Sequence, residues 1–358
     1  MLGTLLCASS CAGVCAALAQ GAANETAATD LEIYLGPVPI RRTAPIYPFE
    51  LRTYGREGWV ALSYIVSPEG KVVEPMIEDS SGIHEFERAA INAVKDWRYK
   101  PATLNGEPVE QSMTRTIIRF QLQDRSNGAS PSFITKYKKA QEHLKNHEFD
   151  QAKAVLDDLE SGGRLNLYED SWFWWLKYVY MDAVGGASLE QQRDVLIRAI
   201  AYEDDYLPRD AFVMAAVRLF ALRVRTEEYA RALSLRDKLK SQKDARKSPL
   251  YDQAVTAMDA TAREIQALVD GDKTLKIDAT IGGFDYWVHG LLRRSFSITD
   301  INGQLDAVEV RCSKRNVRYD SVTGEHTWTI PKSYGDCGAY IKGTPGTTFA
   351  FYEYPNEK

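Results

Sequence analysis

The chain has no lysine or arginine before Arg41, no apolar run of membrane-spanning length beyond its first nineteen residues, and no excess of positive charge. Its 44 lysines and arginines are outnumbered by 49 acidic residues, giving a net charge of −5 that argues against a general nucleic-acid binder. Catalytic signatures are missing as well: there is no phosphate-binding loop, dinucleotide fingerprint, HExxH helix or nucleophile elbow. His143 and His147 have the i, i+4 spacing that holds zinc, but on a polar helix edge they read as a solvated pair. His84, His289 and His326 are isolated. Acidic pairs such as Asp157–Asp158 and Glu227–Glu228 read as solvated helix ends. No catalytic residue, metal or cofactor is therefore expected. What remains is 358 residues at 44% hydrophobic and 26% charged, the composition of a folded protein with two to three domains.

Cys7, Cys11 and Cys15 lie in the apolar run Leu2–Ala19, which ends in Ala17-Leu18-Ala19, a small-x-small pattern of the kind cleaved after secretion. Residues 1–19 read as a signal peptide and the mature protein as periplasmic. An uncleaved inner-membrane anchor and a lipoprotein are the alternatives. Removal of the run leaves Cys312 and Cys337, an even pair in an oxidising compartment, for which a disulfide is the default. Closing its loop stabilises by about 3 kcal/mol on the chain-entropy scale.

Residues 20–36 read as a flexible leader. Val60, Leu62, Tyr64 and Val66 then share one strand face, and Ser67-Pro68-Glu69-Gly70 supplies a turn into Lys71–Asp79, a hairpin. Phe86, Ala89, Ala90, Ala93, Val94 and Trp97 fall on one helical face, and Pro101 is expected to stop that helix with Arg98 and Lys100 near its negative end. After Asn105-Gly106, Thr116, Ile118, Phe120 and Leu122 alternate with Arg115, Arg119 and Gln121 as a third, half-buried strand. The pieces make a helix on a three-stranded antiparallel sheet, an α+β unit assigned to residues 37–123.

The residues Pro45-Ile46-Tyr47-Pro48, Gly55-Arg56-Glu57-Gly58-Trp59-Val60, Ser67-Pro68-Glu69-Gly70-Lys71-Val72 and Trp97-Arg98-Tyr99-Lys100-Pro101-Ala102, spaced as they are, resemble the C-terminal domain of the TonB family over about residues 40–122. The resemblance implies a non-catalytic grip, in which an extended peptide, the TonB box of an outer-membrane receptor, adds to the sheet edge near the last strand. The edge here is Thr114 to Leu122, with Thr114, Arg115, Thr116, Ile117, Ile118, Arg119 and Phe120 as contact residues. Pro45, Tyr47 and Pro48 form a lead-in motif beside the sheet. The family's Gln at the start of that motif is replaced by Ala44, which removes its share of receptor contacts. A TonB protein carries an anchor, a long proline-rich spacer and this domain last. In this chain 236 residues follow it and residues 21–40, fully extended, reach at most about 70 Å. That order favours an exported binding protein over a membrane-anchored energy transducer, which stands as the alternative. An envelope hydrolase is a third class for which no residue is nominated.

Residues 123–131 read as a linker. Helical spacing resumes at Ala140, Leu144, Phe149, Ala152, Leu156 and Leu159, breaks at Asn146-His147, and returns at Val217–Leu222 and Tyr229–Leu235. Phe149 with Ala152 and Tyr229 with Ala232 are two periods of about 40 apart, so residues 132–270 read as helical hairpin repeats similar to tetratricopeptides. The aromatic run Ser171–Tyr180 is expected in their core. From Leu275 short β runs separated by Gly282-Gly283, Asn302-Gly303 and Thr323-Gly324 predict a small all-β domain over 273–358, read as meanders with Asn302-Gly303 as the clearest hairpin turn.

Overall fold

The computed structural model describes residues 33–122, 128–162, 165–203, 205–320, 322 and 326–356. The expected signal peptide at 1–19, the leader up to residue 32 and residues 123–127 of the linker lie outside the described residues.

The first unit runs β1 (Tyr34–Leu35), β2 (Val38–Arg41), α1 (Phe49–Thr53), β3 (Gly58–Val66), β4 (Val72–Ser80), α2 (His84–Lys95), β5 (Arg98–Lys100), β6 (Ala102–Leu104), β7 (Glu107–Val109) and β8 (Gln111–Phe120). An antiparallel sheet in the order β4-β3-β8 carries α2 on one face. Val60, Leu62, Tyr64 and Val66 meet Phe86, Ala90 and Val94 there, and Phe86 stacks on Phe120 at 4.2 Å between ring centroids. The turn into β4 needs a glycine: Gly70 has φ +75°, and a Cβ would fall 1.9 Å from the Tyr99 carbonyl. Pro101 does not end α2. The helix stops at Lys95 because Trp97 turns into the core and donates its indole N–H to Thr43. Arg98 caps the carbonyls of Lys95 and Trp97, and Lys100 sits on β5, which pairs with β2.

The middle region contains α3 (Pro131–Lys145), α4 (Phe149–Gly162), α5 (Leu167–Val184), α6 (Leu189–Ala199), α7 (Arg209–Arg225), α8 (Tyr229–Ser241) and α9 (Tyr251–Asp270). Consecutive helices pair as α3–α4, α5–α6 and α7–α8. Their second members begin at Phe149, Leu189 and Tyr229, forty residues apart. The outer two hairpins share one turn chemistry: His147 and Glu227 both take the left-handed conformation, with φ 58° and 60°. The following amides reach back to His143 and Arg223, each at 2.8 Å. The middle hairpin turns at Gly185-Gly186 instead. Of the aromatic run, Phe173 and Tyr178 are buried and the tryptophans half-buried; Trp174 lies between Lys177 and Arg198, 4.8 and 4.6 Å from its ring.

The last unit contains β9 (Leu275–Thr280), β10 (Tyr286–Gly290), β11 (Ser295–Asn302), β12 (Leu305–Cys312), β13 (Asn316–Tyr319), β14 (Thr327–Thr329), β15 (Cys337–Gly343) and β16 (Thr348–Tyr354). The expected meanders are replaced by a sandwich of two four-stranded sheets, β10-β15-β12-β13 and β14-β11-β16-β9. Asn302-Gly303 is not a hairpin turn: β11 pairs with β14 and β16 while β12 pairs with β13 and β15, so the chain there crosses between sheets. Both β11 and β12 present an apolar face, and placing those faces against each other buries Phe296 and Ile298 with Val308 and Val310 in one core. The Cys312–Cys337 disulfide is formed and joins paired positions of β12 and β15.

The three regions touch. Trp59 and Ala61, on the sheet face away from α2, pack with Leu167, Ala201 and Tyr202 of the helical region. The Glu57 carboxylate accepts from Leu122 N at 2.8 Å and from Leu167 N at 3.0 Å, tying the exit of β8 to the first turn of α5. Arg293, 1% exposed, donates to the carbonyls of Leu268, Val269 and Gly271 at the end of α9 and to those of Lys273 and Glu353. It satisfies carbonyls a helix end leaves without partners.

Candidate functional site

The sheet of the first unit has two edges, and they are built differently. Along β4 the ladder to β3 shifts register twice, Glu74 takes φ 47°, and Pro75 has no amide to offer. The Tyr286 hydroxyl donates to the Ile77 carbonyl, and Arg311 pairs with the Glu74 carboxylate at 2.8 Å. Bulges, proline and capping by other groups blunt an edge against further pairing.

On β8 the irregularity is confined to the start, where Met113 has φ 65° and the ladder shifts between Val66 and Tyr64. From Thr114 to Phe120 the pairing with β3 is continuous, Thr114 opposite Tyr64 through Phe120 opposite Gly58. No other strand among the described residues pairs with β8. In an antiparallel strand paired on one side, alternate residues direct their N–H and C=O groups outward, so this stretch offers a regular row of backbone donors and acceptors.

All seven residues expected to form the edge, Thr114, Arg115, Thr116, Ile117, Ile118, Arg119 and Phe120, lie on that stretch; the strand ends at Phe120, so Leu122 is beyond it. Ile118 and Phe120 point into the α2 core, whereas Arg115, Ile117 and Arg119 are exposed on the opposite face. Arg115 reaches across β3 to Glu78 at 2.9 Å. Arg119 pairs with Asp205 at 2.6 Å and lies over the Tyr202 ring. Both faces of the sheet are thereby engaged within the chain while the margin of β8 is left unpaired.

The lead-in motif meets the same strand at its far end. Tyr47 packs edge-on against Phe86 and Phe120, at 5.4 and 5.8 Å, and its hydroxyl donates to the Arg56 carbonyl. Pro48 is the residue before α1, its carbonyl accepting from Arg52, and Pro45 is half-buried. Tyr47 therefore closes the core beside Phe120. Sequence reasoning did not find the blunting of β4, although Pro75 within a strand pattern is a signal for an edge.

His143 and His147 are not brought together on one ligand: His143 bonds Glu148 and His147 forms the turn. No group of three or more metal-ligating side chains occurs among the described residues, and no described helix is long and apolar enough to cross a membrane.

Residues 43–122 match the family described as the Gram-negative bacterial TonB protein C-terminal. Protein TonB of Vibrio cholerae is 32% identical over 79 residues, 22% of this chain and 32% of that protein. Protein TonB of Escherichia coli is 35% identical over 66 residues, 18% of this chain and 28% of that one. The chain thus spans about a third or less of the length of these relatives. Among solved structures, the Pseudomonas aeruginosa TonB C-terminal domain aligns with 25% of this chain and 90% of its own, at 22% identity and a TM-score of 0.22. The TonB2 protein of Vibrio anguillarum aligns with 24% and 82%, at 32% identity and a TM-score of 0.21.

Proposed function

We propose that this is an exported cell-envelope protein of a TonB-linked system that captures an extended peptide on β8. The carrying observation is the contrast within one sheet: β4 is bulged, proline-bearing and capped, and β8 is regular and unpaired from Thr114 to Phe120. A strand added there gains backbone hydrogen bonds along its length and places alternate side chains beside Arg115, Ile117 and Arg119, which set its preference. The work is done by main-chain groups, so no catalytic residue or cofactor takes part. The match of residues 43–122 to the TonB family supports the peptide class, a receptor's TonB box. A membrane-anchored energy transducer is the second reading, favoured by the apolar run Leu2–Ala19 if it is retained.

Amide hydrogen exchange on the full chain, with and without a TonB-box peptide, tests the capture. Slowed exchange is expected at alternate amides from Thr114 to Phe120. Protection confined to the helical region or the sandwich would dismiss the edge.

A further inference from the structure

Large apolar side chains are not exposed evenly. Of the fourteen that are exposed among the described residues, seven lie between Ile33 and Tyr54. Ile46 and Phe49 are 87% and 81% exposed, the two highest values of that set. The same stretch is basic: residues 38–56 carry four arginines and one glutamate in a chain of net charge −5.

Strand pairing gathers more cations beside it. Val38 stands opposite Lys100 and Arg41 opposite Arg98, and since Pro39 and buried Tyr99 share the inner face, these four side chains share the outer one. Arg98 is also bridged on its other side to Lys71, which sets three cations in a row across adjacent strands. Like charges directly opposite are unfavourable without a counter-charge. Among the described residues, no carboxylate lies within ion-pair distance of Arg41, Arg52, Lys71, Arg98 or Lys100.

Protruding aliphatic and aromatic side chains interspersed with unpaired cations match the chemistry of an anionic bilayer surface. Apolar groups enter the acyl boundary, and each nearby Lys or Arg adds attraction to acidic headgroups. We infer that the exposed apolar and basic stretch of residues 33–56, with the β5 cations paired to it, docks on an anionic phospholipid membrane.

The test is flotation of the full chain with vesicles of equal parts phosphatidylglycerol and phosphatidylcholine, and with phosphatidylcholine alone. The chain is expected to float with the acidic vesicles and about tenfold more weakly with the neutral ones. Ile46→Ser with Phe49→Ser, and separately Arg41→Glu with Lys100→Glu, are each expected to lower partition about tenfold with the unfolding midpoint unchanged, because these side chains are exposed. Equal flotation on both vesicle types, or variants that float like the parent chain, would assign the contact to the Leu2–Ala19 run and overturn the inference. Absence of flotation with either vesicle type would also overturn it. Because peptide protection at Thr114–Phe120 is a separate readout, either result can stand without the other.

Discussion

The sheet of residues 58–120 and the sandwich of residues 275–354 are both antiparallel, yet they treat their margins in opposite ways. In the sandwich, β13 and β14 are edges of only four and three residues. The longer edge β9 carries Lys276 and Asp278, paired at 2.9 Å. The fourth edge, β10, runs against α8, where a Cβ on Gly290 would sit 2.6 Å from Ala230. Short, charged or covered edges resist association with foreign strands. β8 has ten residues, an exposed isoleucine and no hydrogen-bonded strand besides β3 among the described residues, although β12 of the sandwich packs close to it. One chain that blunts five of its six principal edges and leaves the sixth regular teaches that the exception is suited to use.

The two units also differ in how they are fastened. Arg293 is buried and spans five carbonyls between α9 and the sandwich, whereas Arg119 of β8 and its partner Asp205 are 35% and 48% exposed. Arg293→Ala is therefore expected to cost about 3–5 kcal/mol in urea unfolding, since it strands buried carbonyls. Arg119→Ala is expected to cost below about 1 kcal/mol. Similar losses from the two would break the contrast in attachment.

A smaller effect sharpens it at the first unit's contact with the helices. Asp170 accepts from Tyr202 and Trp174, and Tyr202 packs on Trp59. Burial pushes the Asp170 carboxyl up from 3.8 to about 6, only partly offset by those hydrogen bonds. A raised acid binds its proton more tightly when folded, so its contribution is fully present below pH 3.8 and is lost as pH rises through 6. The loss is about 3 kcal/mol. Asp170→Asn should flatten that part of the stability-versus-pH curve, and an unchanged slope would place the dependence elsewhere.

The change aimed at the edge itself is expected to have the smallest effect on stability. Ile117→Lys gives β8 the kind of charge that β9 already has. Peptide affinity should fall about tenfold by titration calorimetry, on the scale of a single edge charge or lost contact, with folding stability within about 0.5 kcal/mol. Undiminished binding would mean that the peptide does not lie along Thr114–Phe120.

Much of this architecture was legible in the residues. Period-two alternation in Val60–Val66 and Thr116–Phe120 marked strands, the Phe86–Val94 spacing marked the helix, and Phe149 and Tyr229 begin second helices of their hairpins. Other features were not legible. Pro101 looked like the end of α2, but the burial of Trp97 ended it earlier. Asn302-Gly303 looked like a hairpin, because local turn chemistry does not say which sheet the next strand joins.

By itself, the sequence determined the local periods, the Gly70 turn, the supply of two cysteines outside the N-terminal run and the TonB-like motifs, because each depends on neighbours a few residues apart. Only the tertiary structure decided that β4 is capped by Tyr286 and Arg311 from more than two hundred residues away while β8 keeps its margin. Whether a backbone group is paired depends on what is brought beside it in space, and that is set when the apolar faces of distant segments are buried together.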